Sequence, residues 1–183
     1  MKLADVDVLM LPGYGDSGPE HWQSRWQTKL SSARRVEQDD WFKPARGPWV
    51  ERLVAEAAKS TRPAVVIAHS AGAVVVAHAA PRLRGKVVGA FLVAPSDWER
   101  PNLVEGLEHD LAPIPRAALP FRAVVVASRN DPYCSFERAS ELAAAWGAEL
   151  ADAGEAGHIN VESGHGPWPE GTLRFASFLA SLR

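Results

Sequence analysis

The 183-residue sequence is 46% hydrophobic and 23% charged, and its formal net charge is −2. That length and balance suit one compact domain over residues 1–183 and lack the cationic bias that nucleic-acid backbones require. Its one cysteine, Cys134, excludes an internal disulfide and any paired-cysteine metal or redox site.

At the N-terminus, Asp5 and Asp7 interrupt the apolar stretch that a signal peptide would need, so a cytoplasmic chain with no membrane association is expected. Residues 6–11 form the first nearly continuous apolar run. A glycine-rich turn, Gly13-Tyr14-Gly15-Asp16-Ser17-Gly18, follows it. Residues 20–30 show helical spacing, with Trp22, Trp26 and Leu30 one turn apart. A weaker strand is expected at 34–38, and a helix at 49–58.

Residues 63–81 contain no Asp, Glu, Lys or Arg and are long enough to span a bilayer. Their character changes midway, however. Residues 64–68 are mostly β-branched and 71–80 are alanine-rich, with His69 and Ser70 between. A buried strand, a tight turn and a buried helix fit this better.

Further strands are expected at 87–94, 123–127 and, more weakly, 148–151, with helices at 136–146 and 172–182. Residues 95–120 carry five prolines and a weak helical patch at 103–111. A connection that long is a candidate lid. Short apolar runs alternating with helical segments predict an α/β fold. Its sheet should be mostly parallel, with six strands in the order 2-1-3-4-5-6, helices on both faces and no large cap domain.

Two motifs compete for the function. The glycines at 13, 15 and 18 have the form of a dinucleotide fingerprint, with acidic residues about 20 positions on. Against it, Pro19 starts the helix after the third glycine, whereas the fingerprint needs that glycine inside the first turn. No Tyr-x-x-x-Lys pair is present for hydride chemistry.

The second motif is Ala68-His69-Ser70-Ala71-Gly72, between a strand and a helix. It has the form of a nucleophile elbow, with alanine in place of the first glycine. Small residues two positions either side of the serine keep the strand and helix from colliding. An acid, Asp131, follows the fifth strand, and His158 follows the sixth. The order serine, acid, histidine, each just past the C-terminal end of a parallel strand, is that of α/β-hydrolases.

The sequence resembles the YdeN-like serine hydrolases, bacterial relatives of retinoblastoma-binding protein nine. The resemblance is carried by Pro12-Gly13-Tyr14 with Ser17-Gly18-Pro19-Glu20-His21-Trp22, by residues 68–72, by Ser128-Arg129-Asn130-Asp131-Pro132-Tyr133, and by Gly157-His158-Ile159-Asn160 running on to Gly166-Pro167-Trp168. It implies a small α/β-hydrolase without a lid and a triad of Ser70, Asp131 and His158. A retinoblastoma-type partner is not implied, because Leu-x-Cys-x-Glu is absent around Cys134.

In that reading Ser70 attacks, His158 moves the proton and Asp131 orients the imidazole. The Ala71 N–H at the helix N-terminus gives one oxyanion donor. Tyr14 N–H is expected to give the other, with Gly15 N–H close behind. The rival base is His165 and the rival acid Asp97; Asp152 comes too late in its strand. His69 should point away from the serine, His78 reads as a core histidine and His21 as a loop anchor. Cys134 has no elbow and reads as buried filler. No metal-ligand spacing occurs among the histidines, and no cofactor is expected. The substrate is expected to be a small acyl ester, with Trp41, Trp98 and Trp168 walling an apolar cleft.

Overall fold

The computed structural model describes residues 1–104 and 106–182. Six strands form one parallel sheet: β1 (Asp7–Leu11), β2 (Ala33–Arg35), β3 (Ala64–His69), β4 (Val87–Val93), β5 (Arg122–Ala127) and β6 (Glu149–Asp152). Their order is β2-β1-β3-β4-β5-β6, as the sequence predicts. All five ladders are parallel. β1 and β3 are buried at every residue, which explains why their sequences show no polar alternation.

The helices are α1 (Trp22–Lys29), α2 (Arg46–Ala58), α3 (Ala71–Leu83), α4 (Phe136–Trp146) and α5 (Pro169–Ser181). They divide between the two faces. One face packs Leu9, Val66 and Leu92 against α2, α3 and α4 through Leu53, Val75, Leu142 and Trp146. The other packs Met10, Ile67 and Phe91 against α1 and α5 through Trp22, Trp26, Phe175 and Phe178. No helix among the described residues is long and apolar enough to cross a membrane.

Local signals set several boundaries. Ser135 caps α4 by accepting from Arg138 N–H, and Gly147 closes it in the left-handed conformation at φ 63°. Pro169 occupies the first position of α5, so this helix starts three residues before the apolar spacing begins. α3 runs past Pro81 to Leu83. The proline's missing N–H costs only one bond there, in the last turn.

The 95–120 connection forms turns and bends where described, and the described residues of the expected helical patch at 103–111 form no helix. Position 105 lies outside the described residues. Trp98, Leu103, Leu111 and Ile114 from this connection are buried in the α2–α3–α4 core. Those four side chains anchor its described residues to the core.

Candidate active site

β3 delivers its chain to Ser70, where the backbone turns sharply at φ 56°, ψ −124° before α3 begins at Ala71. That left-handed conformation is strained for a residue with a Cβ. It is held by Ser70 N–H donating to Val93 O at 3.0 Å and by two close approaches. A Cβ on Gly72 would lie 2.6 Å from the carbonyl oxygens of Leu11 and Pro12, and one on Gly13 would lie 2.7 Å from Ser70 Cβ. Both glycines are thus required by contact at the elbow.

Ser70 Oγ lies 2.9 Å from His158 Nε2. His158 Nδ1 lies 2.9 Å from Asp131 Oδ2 and 3.0 Å from Oδ1. Tyr133 N–H donates to Asp131 Oδ1 at 2.9 Å, and the Tyr133 ring stands edge-on to the imidazole at 4.5 Å. The structure therefore brings Ser70, His158 and Asp131 together in one hydrogen-bonded line across the ends of β3, β5 and β6.

The histidine loop is fixed from several sides. Gly157 N–H donates to Asn130 Oδ1 at 2.7 Å, and Ala156 N–H to Ser128 Oγ at 2.9 Å. From the other side, His69 Nε2 donates to His158 O at 2.8 Å and Trp22 Nε1 to Ile159 O at 2.8 Å. His69 thus stands against the His158 ring, with centroids 4.8 Å apart, and holds that residue's backbone.

The first-strand loop presents backbone donors. Gly15 N–H is bound to Trp41 O at 2.9 Å, which takes it out of the competition. Among the described residues neither Tyr14 N–H nor Ala71 N–H is given an acceptor; Ala71 follows Ser70 in the chain, and Tyr14 lines the same cavity as Ser70. Gln23 holds this loop to the sheet. Fully buried, it donates to Leu11 O and Ile67 O, each at 3.2 Å, and accepts from Ser17 Oγ at 2.8 Å.

The rivals are engaged elsewhere. Asp97 is paired with Arg138 at 3.2 Å, and Asp152 with Arg129. His165 Nδ1 bonds Ser163 Oγ at 3.2 Å, and His78 Nε2 bonds Leu111 O at 2.9 Å. Burial, reinforced by Asp97 and Asp131, pushes the Cys134 thiol up to about 12, so almost no thiolate exists near neutral pH. The dinucleotide fingerprint also loses its geometry. α1 starts at Trp22, and a Cβ on Gly18 would meet nothing within 4 Å, so Gly18 makes no close helix–strand contact.

Ser70 opens into a cavity of about 540 Å³ whose lining includes Tyr14, His21, Trp98, Leu103, Val104 and Tyr133. Of the three tryptophans expected to wall it, only Trp98 does. Trp41 stands edge-on to Trp49 at 5.6 Å, on the α2 side. Trp168 stacks on Trp26 at 5.8 Å with the planes 12° apart, inside the α1–α5 core. Its indole lies over Gly171, where a Cβ would come within 2.1 Å. A tryptophan beside the histidine loop could face either way, and this glycine opens the inward one.

Ser96 carries no signal in the sequence. It is buried, its Oγ accepts from Trp98 Nε1 at 2.9 Å, and it lies 3.5 Å from Ser70 Oγ. Its position next to Pro95 in an irregular connection gives no motif to read. Gln23 was equally hidden, as a polar residue on an amphipathic helix reads as surface.

The sequence profile of the serine hydrolase family matches residues 8–177. A YdeN-like hydrolase from Pectobacterium atrosepticum is 36% identical, with 96% of this chain and 91% of that one covered and a TM-score of 0.86. The ydeN gene product of B. subtilis superposes at a TM-score of 0.78 with 19% identity, covering 95% of this chain and 98% of its own. Est1E from Butyrivibrio proteoclasticus, solved with ferulic acid bound, gives 0.74 at 14% identity, covering 97% and 88%; at these identities the likeness is one of fold. No curated protein matches the sequence.

Proposed function

The chain belongs to the serine hydrolase family, and from that premise we propose that it hydrolyses small carboxylic esters through an acyl-enzyme on Ser70. The observation that carries this reading is the unbroken line from Ser70 Oγ through the His158 ring to Asp131, 2.9 Å at each step.

Each member has a defined task. His158 Nε2 accepts the Ser70 proton as Oγ bonds to the ester carbonyl carbon. Asp131 accepts from His158 Nδ1–H, which fixes the tautomer and favours the imidazolium. The carbonyl oxygen becomes an oxyanion, for which the unpaired Tyr14 and Ala71 N–H groups are suited; such donors are worth roughly 10²–10³ in kcat each. Collapse breaks the ester C–O bond, and the departing alcohol takes the proton from His158. Water then attacks the acyl carbon while His158 accepts its proton. Ser70 Oγ leaves with that proton, and the carboxylic acid is released.

Esters are the better-suited substrates because an amine leaving group makes a heavier demand on protonation. Cys134, a buried free thiol with no disulfide partner, suits a reducing compartment such as the cytoplasm. The test is turnover of p-nitrophenyl acetate, butyrate and octanoate by wild type, Ser70→Ala and His158→Ala. Expected is hydrolysis lowered by about 10⁴-fold or more in both variants. Wild-type rates no higher than those of either variant would overturn the proposal.

A further inference from the structure

The oxyanion loop ends at His21, whose ring stands in the wall of the same cavity as Ser70. Its Nδ1 accepts the Gln23 N–H at 3.1 Å, so the proton of the neutral ring is on Nε2. That N–H has no protein acceptor among the described residues, and the ring lines the cavity.

His69 stands beside it, with ring centroids 4.9 Å apart. Because His69 Nε2–H is committed to the His158 carbonyl at 2.8 Å, its Nδ1 carries a lone pair. This atom too has no protein partner among the described residues, and His69 lines the same cavity. The two rings therefore offer one donor and one acceptor, set by hydrogen bonds already made on their far sides. Burial keeps both neutral: it lowers His21 to about 4, helped by His158, Arg35 and His165, and lowers His69 well below the imidazole range, helped by His158 and His21. The other side of the cavity is apolar, with Trp98, Leu103 and Val104.

We propose that His21 and His69 form a hydroxyl-binding subsite beside Ser70, and that the preferred substrates are esters carrying a hydroxyl near the scissile bond. A hydroxyl oxygen accepts from one ring and donates to the other through a single atom. A carbonyl can only accept, and an ammonium can only donate. The proposal rests on the ester-hydrolase reading and adds the substrate's polar group.

The experiment compares two isosteric pairs by proton release at constant pH. Ethyl 3-hydroxybutyrate against ethyl 3-methylbutyrate places the hydroxyl on the acyl side. The pair 2-hydroxyethyl butyrate and propyl butyrate places it on the alcohol side. Expected is a kcat/KM about tenfold higher for the hydroxylated member of one pair, and that pair identifies the side. In His21→Asn the carboxamide oxygen can still cap Gln23 N–H while the ring N–H is gone, so the ratio should fall below threefold. Turnover of all four esters by wild type with both ratios near one overturns the subsite and leaves the hydrolase reading intact. A preference that persists undiminished in folded His21→Asn also overturns it. Turnover of none overturns the hydrolase reading itself, and the subsite with it.

Discussion

Replacing Gln23 by leucine should destabilise the protein and damage the site together. The side chain is fully buried, and leucine approximates its shape. The substitution takes the amide donor from the carbonyls of Leu11 and Ile67, which keep their bonds in the β1–β3 ladder, and leaves the buried Ser17 hydroxyl without its acceptor. The unpaired hydroxyl costs about 1–3 kcal/mol, and each lost bond to a carbonyl that keeps its ladder partner about 0.5–1.5 kcal/mol. Together these come to about 2–6 kcal/mol, and the roughly 1–2 kcal/mol regained from burying an apolar side chain leaves a mid-range loss of about 2–3 kcal/mol. Against a total stability of about 5–15 kcal/mol that is a substantial fraction, and a domain of this size should melt roughly 4–12 °C lower. The two carbonyls lie at the ends of β1 and β3, which carry the oxyanion loop and the nucleophile, so kcat/KM should also drop at temperatures where the variant stays folded. Urea titration with linear extrapolation measures the first effect. A loss below 1 kcal/mol would refute the claim that Gln23 satisfies those groups.

Acid should weaken the fold through His21 and His69, whose imidazoles burial lowers. Above about pH 6.5 both the folded and unfolded chains hold neutral rings, and this contribution is complete. As pH falls toward 4 the unfolded chain takes up protons that the folded chain refuses, so stability drops. For His21 alone, the gap from 6.5 to about 4 corresponds to ~3 kcal/mol at 1.36 kcal/mol per pH unit. Urea midpoints at pH 7.5, 6 and 5 check this, and a flat profile contradicts it. Gly13→Ala would put a Cβ 2.7 Å from Ser70 Cβ and 3.2 Å from Ala71 N. It should lower kcat by roughly 10²-fold or more by displacing the nucleophile and its oxyanion donors, as steady-state kinetics on the folded variant would show. Trp98→Ala should change acyl-chain preference, because Trp98 lines the cavity. Trp168→Ala should instead cost about 3–5 kcal/mol of stability with chain preference retained, as kinetics over an acyl series and urea titration would separate.

The fold was legible where one element decided its own fate. β1, β3, β4 and β5 are buried on both faces, and their continuous apolar runs say so. α4 carries both of its caps in sequence, at Ser135 and Gly147, and its observed ends are those expected. β2 was harder: its three half-buried residues, Ala33–Arg35, are shorter than the expected 34–38 and displaced toward the N-terminus. An edge strand is paired on one side only, and little apolar sequence marks it. Ser70 and Asp131 could be placed because each follows a strand that is itself legible, whereas His158 follows the weaker β6 and was placed by its Gly157-His158-Ile159-Asn160 context. Trp168 could not be placed, since its direction depends on Gly171 and on Trp26 from a distant helix. Gln23 and Ser96 were invisible for a related reason. Their importance lies mainly in distant partners, Leu11 and Ile67 for Gln23 and Ser70 for Ser96, which no local spacing encodes.

Reaction with a fluorophosphonate, followed by intact-mass and peptide mapping, tests the central claim most directly. A single adduct on the peptide containing Ser70 is predicted, absent in Ser70→Ala and formed far more slowly in His158→Ala. An adduct at another residue, or an undiminished rate in His158→Ala, would contradict the account.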